Sequence, residues 1–302
     1  MKNFSPYREI LFEARRPQLE SLAKPPRSRQ LSFSLPVTSI EALLLGLLQG
    51  VTEFLPVSSS GHLVLAERWL ELPAENLLIF DIAAHTGTLG ALLLFFRREI
   101  WRLIQDLFQP VRWRESLLFP LFVGTIPAAS AGLLGKDFLE SSLRGEKTVA
   151  LALLATAGLL LVGEFVNRRG SSPAAISETA DSHHQKITQS LGIGFFQALA
   201  LIPGVSRSGA TLAGGLFFGL ERRAAARFSF LLGTAAIGGA TLLSLPDFVA
   251  GEIPTRELFL GAVAAFLSGL AAISFFLRLL EKRWVLPAFA SYLILLAGAI
   301  LF

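Results

Sequence analysis

The chain has 302 residues, 52% of them hydrophobic and only 17% charged, whereas soluble domains carry roughly 25% charged residues; an ordinary soluble fold is excluded. Cysteine is absent, which excludes disulfides and thiolate metal sites and leaves the redox compartment unread. The pI near 9.8 points to nucleic acid only until the charges are located. Residues 1–38 hold seven basic and three acidic residues, which accounts for the whole-chain net charge of +4, so the remaining body is neutral and nucleic acid is not an expected partner.

Residues 1–38 read as a basic extension, disordered or outside the mature core, and a mis-assigned start codon is one account of it. Beyond it the chain is a series of apolar runs of the length a membrane span needs, about 20 residues. Ile40–Leu70 comes first, interrupted by Glu41, Glu53, Pro56 and a serine cluster. Asn76–Phe96 follows with Asp81 near one end, then Ser116–Gly135, then Thr148–Val166 with Glu164 near its end. After a polar loop come Ile187–Ser206, Phe228–Pro246, Leu258–Leu277 and Trp284–Phe302. A soluble core explains one or two such runs, not this many. Trp69, Trp101, Trp113 and Trp284 stand at run ends or between runs, where interfacial rings belong.

Four linkers are rich in arginine: Arg97 to Arg114, Arg168 to Lys186, Arg222 to Arg227, and Arg278 to Arg283. The positive-inside tendency assigns them to the cytoplasm. Residues 136–147 and 247–257 have no such excess and face outward, which leaves the C-terminus outside.

Shifting the chain by 148 positions aligns Gln49–Gly61 (QGVTEFLPVSSSG) with Gln197–Gly209 (QALALIPGVSRSG), and five positions agree. Pro56 and Pro203 stand just before the serines, where proline breaks a helix. Three spans lie between the copies, so the second is inverted, and inverted repeats with broken helices place polar sites near the bilayer midplane. The expected fold is an all-α polytopic membrane protein with an inverted-topology repeat, two re-entrant helical hairpins and about six full transmembrane helices. Its parts are the extension 1–38, a first repeat 39–167, a cytoplasmic loop 168–186 and a second repeat 187–302. In this arrangement the first hairpin dips from outside and the second from the cytoplasm. The basic extension would then lie outside, against the charge rule, and its sidedness stays open.

Arg207 is the only charge between Lys186 and Glu221, and an arginine at membrane depth is costly unless it has a task. A snorkelling or salt-bridged structural arginine is the plain alternative. As an anion clamp it matches phosphate oxygens bidentately, and the helix start expected at Ser208-Gly209-Ala210-Thr211 supplies amides and hydroxyls. In the first copy Gln49 and Glu53 share a helix face. A carboxylate there binds a metal, relays protons or pairs with Arg207. Ser59 and His62 are three apart, a spacing that suits a nucleophile and its base. His85 is a lesser candidate with helix packing as its expected role, and His183 and His184 read as solvated loop residues.

QGVTEFLPVSSSGH and LIPGVSRSGAT closely resemble the two signature segments of the undecaprenyl-diphosphate phosphatase, or bacitracin-resistance, family. FDIAAHTGTLGALL, IPAASAGLLG and FFQALALIPG resemble further stretches of it, and the resemblance covers about residues 38–302. It implies hydrolysis of undecaprenyl diphosphate to the monophosphate at the outer face of the bacterial inner membrane, which recycles the cell-wall lipid carrier. It implies a divalent cation, Mg²⁺ or Ca²⁺. It also implies Glu53 as metal ligand or proton carrier, Ser59 as nucleophile, His62 as its neighbouring base or acid, and Arg207 as the diphosphate clamp. Ser58, Ser60, Ser206, Ser208, Gly209 and Thr211 would complete the phosphate cradle. Gln49 stands where many members have a first glutamate, so a metal site of Glu53 with Gln49 has one carboxylate instead of two. A homodimer is left open. Acid-phosphatase-like lipid phosphatases want a histidine six residues after the arginine, where this chain has Ala213. The competing expectation is a polyprenyl-phosphate transporter, because the same repeat architecture serves alternating access.

Overall fold

The computed structural model describes residues 37–72, 77–109, 113, 116–142, 145–169, 183–244 and 256–302. The extension (save Val37 and Thr38) and most of the loops at 168–186 and 247–257 lie outside them. Eleven helices and no strand occur among the described residues: α1 Ser39–Phe54, α2 Ser59–Trp69, α3 Leu77–Phe95, α4 Arg97–Leu107, α5 Leu118–Ser142, α6 Glu146–Arg169, α7 His183–Leu199, α8 Arg207–Phe217, α9 Arg222–Leu243, α10 Arg256–Leu279 and α11 Val285–Leu301.

Helix ends follow local chemistry. A capping box starts α1: the Thr38 hydroxyl accepts from the Glu41 amide at 3.3 Å, and the Glu41 carboxylate accepts from the Thr38 amide at 2.6 Å. Pro56 lies just beyond Phe54, where α1 stops, and α2 restarts with Ser58 as its cap, accepting from the Gly61 amide. The run Ile187–Ser206 is likewise not one helix. It ends at Leu199, turns through Pro203 and Gly204 (φ 92°, open to glycine without strain), and resumes at Arg207 under a Ser206 cap.

Four helices, α5, α6, α9 and α10, are long and apolar enough to cross a membrane; α3 with α4 makes a fifth if a pair bent by 81° is one span. Sequence runs predicted about six full spans. The difference at the C-terminus is length: α11 has 17 residues, about 25 Å against a hydrocarbon core of about 30 Å. The chain is a multi-pass membrane protein. Trp69, Trp101, Trp113 and Trp284 are all exposed, as interfacial rings should be.

The helices pack α10 against α1 and α3, α6 against α8 and α11, α5 against α7, and α9 against α3 and α8. Small residues permit the closest approach; a Cβ on Gly46 would lie 2.3 Å from the Gly261 carbonyl oxygen. Phe54 meets Phe230 edge-on at 5.7 Å in the largest buried cluster. Glu164 is buried and accepts from Arg168 Nε at 2.6 Å and Arg222 Nε at 3.0 Å, while Arg168 also donates to the Arg283 carbonyl. Arg227 pairs with Glu99. The arginine-bearing ends of α4, α6 and α9 and the turn before α11 are thereby tied to one another.

Candidate active site

The two breaks, after α1 and after α7, touch through hydrogen bonds. Ser208 donates to the Leu55 carbonyl at 2.9 Å, and the Gly204 amide donates to Ser60 Oγ at 3.4 Å. The strongest link is ionic. Arg207 Nη2 lies 2.7 Å from Glu53 Oε1, with the carboxylate 7% exposed and the guanidinium 15%. Arg207 Nη1 reaches the Ser229 carbonyl at 3.3 Å. Gly233 makes room for this fork, because a Cβ there would stand 1.7 Å from Arg207 Nη1.

Ser59 Oγ donates to the other carboxylate oxygen, Glu53 Oε2, at 2.6 Å, and Gln49 Nε2 donates to the same oxygen at 3.2 Å. Glu53 therefore joins a serine hydroxyl and an arginine in one chain of bonds. The three line a cavity of about 440 Å³ together with Ser60, Asp81, His85, Ser206, Ser208, Thr241 and Ser244. Apolar side chains line it as well, among them Ile82, Leu201, Val205, Ala236, Ile237 and Ala240. Ser58 has φ 71°, a region costly for any residue with a Cβ. It begins the helix whose first residue is Ser59.

Not every residue named from sequence faces this cavity. His62 turns away: its Nδ1 donates to the Ser58 carbonyl at 2.8 Å, its Nε2 meets the Tyr292 hydroxyl at 2.7 Å, and the two rings stack. It lines a separate apolar groove beside Trp284 and Phe289. Ser58, Gly209 and Thr211 are buried behind the cavity wall. Ser58 Oγ caps Gly61, the Gly209 amide is taken by Ser206 Oγ at 3.0 Å, and Thr211 donates to the Arg207 carbonyl at 2.7 Å. Their polar atoms hold the helix starts together.

Asp81, noted in the sequence only as an acid near a run's end, and His85, a lesser candidate with packing as its expected role, both line the cavity. His85 Nε2 stands 3.8 Å from Glu53 Oε2 while Nδ1 donates to the Asp81 carbonyl at 2.7 Å. A signal existed in a histidine placed four residues after an acid in an apolar run, but only packing decides which way the ring faces. As for a cation, Glu53 has both oxygens engaged by protein donors. No cluster of three or more His, Asp or Glu side chains among the described residues could hold a metal. The residues present do not fit a cation caged by protein alone.

An apolar helical bundle with a serine, a carboxylate and an arginine joined at one cavity defines a class: a multi-pass membrane protein with a polar site inside its bundle. The model of the family described as Bacitracin resistance protein BacA matches residues 42–299. The chain is 41% identical over 269 residues to a protein of Stutzerimonas stutzeri named Undecaprenyl-diphosphatase 2, covering 87% of this chain and 97% of that one. It is similarly 41% identical to the Undecaprenyl-diphosphatase of Syntrophotalea carbinolica (86% and 96% covered) and 39% identical to that of Rubrobacter xylanophilus (86% and 96%). The chain belongs to the bacitracin resistance protein family.

Proposed function

We propose that this protein is an integral-membrane phosphatase that hydrolyses undecaprenyl diphosphate to undecaprenyl phosphate and phosphate. The observation that carries the reading is the bonded chain Ser59–Glu53–Arg207 in a cavity lined by both polar and apolar side chains. The polar residues suit the headgroup and the apolar ones suit the first isoprene units. Ser59 attacks the terminal phosphorus and passes its proton to Glu53. The bridging P–O bond breaks, and the prenyl monophosphate leaves with its electrons. Arg207 turns its fork to the terminal phosphate, where charge develops. Water then hydrolyses the phosphoserine.

The fold reading behind this is an inverted repeat of two re-entrant hairpins, supported by the paired helix breaks and their contact. Its outward-facing site is supported by position. Helix α3 runs from Asp81 at the cavity to the arginine cluster after Phe95, and α9 runs from Arg222 in that cluster to Ser244 at the cavity. The cavity thus lies at the end away from the positive side, which supports a site opening at the outer face of the bacterial inner membrane. A divalent cation belongs to this reading as a companion of the substrate, held mainly by diphosphate oxygens.

The test is phosphate release from undecaprenyl diphosphate by the purified chain with Mg²⁺ or Ca²⁺ present. Ser59→Ala and Arg207→Ala should each lower kcat/KM at least about a hundredfold, the usual scale for losing a nucleophile or a charge clamp. A wild-type protein that releases no phosphate ends the enzyme reading, and uptake of polyprenyl phosphate by liposomes carrying it would put a transporter in its place.

A further inference from the structure

We propose that His85 is a further catalytic residue: its Nε2 holds the water that removes the phosphoryl group from Ser59 and takes that water's proton. This rests on the reading of Ser59 as nucleophile. The ring has one fixed nitrogen and one free to act. Nδ1 donates to the Asp81 carbonyl one turn back, which sets the ring's orientation and leaves Nε2 pointing at the cavity. Nε2 stands 3.8 Å from Glu53 Oε2, too far for a direct bond and close enough for one oxygen beside the two atoms to contact both. Ser59 Oγ lies 2.6 Å from that same carboxylate oxygen, so a phosphoryl group on Ser59 sits within reach of an oxygen held by His85.

The groups that share the cavity with the ring include Glu53 of α1, Ser59 of α2 and Arg207 of α8, with Asp81 on its own α3. Their division of labour follows from their bonds. Glu53 touches the serine and receives its proton in the first step, so a second acceptor is needed for the water. His62, the other histidine near the serines, has both nitrogens occupied by Ser58 and Tyr292 and lines a different groove. In the step proposed, the water oxygen bonds to phosphorus as the phosphorus–Oγ bond breaks. Ser59 recovers the proton from Glu53, the water's proton goes to His85, and orthophosphate leaves, after which His85 gives its proton up to solvent.

The experiment is rapid-quench kinetics on the full chain with undecaprenyl diphosphate, comparing wild type with His85→Ala and His85→Gln. Both variants should keep a burst of about one prenyl monophosphate per enzyme and release phosphate roughly a hundredfold more slowly, the scale of a lost general base. Phosphoserine at position 59 should accumulate and be found by mass spectrometry. Gln keeps the size and polarity of the side chain, so it carries the test if Ala fails to fold. Wild-type turnover in both variants, or loss of the burst together with phosphate release, overturns the assignment. Ser59→Ala separates the two readings: its full activity would remove the nucleophile itself, whereas an inactive Ser59→Ala beside unaffected His85 variants would remove only His85.

Discussion

Gly233 lies 26 residues beyond Arg207 in sequence and directly against it in space, since a methyl group there would fall 1.7 Å from Arg207 Nη1. Gly233→Ala should therefore push the guanidinium off Glu53 and lower kcat/KM by roughly tenfold or more while the protein still folds. A double-mutant cycle checks the cause, because residues that act together are non-additive: in an Arg207→Ala background the Gly233→Ala change should cost nothing further. Arg207→Lys should also fail to restore activity, because a single ammonium cannot bridge Glu53 and a phosphate as the planar fork does. Arg207 was legible in the sequence because a lone charge in an apolar stretch needs a reason. Which way His62 and His85 face was not. Each lies on an apolar helix and donates to the carbonyl four residues back, and nothing local says that one faces the cavity and the other a groove.

At the scale of elements, the breaks at Pro56 and Pro203 were readable from proline and glycine chemistry, and the structure ends α1 and α7 where expected. Gly204 sits at φ 92°, a backbone conformation that strains any residue with a Cβ. Gly204→Ala should lower stability by about 1–2 kcal/mol through backbone strain, seen as a lower thermal midpoint in detergent. At the opposite end of the bundle, Glu164 accepts from Arg168 of its own helix and ties α6 to α9 through Arg222. Glu164→Gln leaves two arginines without their carboxylate and should cost about 3 kcal/mol. The thermal midpoint should fall, and phosphate release per folded molecule should not change, because Glu164 is outside the cavity. The sequence showed Glu164 only as an acid near a run's end; its partner Arg222 comes from a helix that starts more than fifty residues later.

For the whole molecule, the cation expectation has a direct check. Equilibrium dialysis of the substrate-free protein should find no stoichiometric Mg²⁺ or Ca²⁺, since both Glu53 oxygens are engaged and no three-residue cage exists among the described residues. Chelation should still suppress turnover, and adding either metal back should restore it. One tightly held cation per chain without substrate would overturn this.

Composition and periodicity alone determined that the chain lives in a membrane and where its helices break, and they singled out Arg207, Glu53 and Ser59 as candidates for its chemistry. These are local properties: hydrophobicity summed along a run, the missing amide of proline, the cost of a charge in lipid. Tertiary structure decided the rest. Contact between segments 154 residues apart pairs Arg207 with Glu53, crossing helices bring His85 and Gly233 to that pair, and the same packing turns His62 away. Facing is a property of the packed bundle, and no single helix encodes which neighbour it will meet.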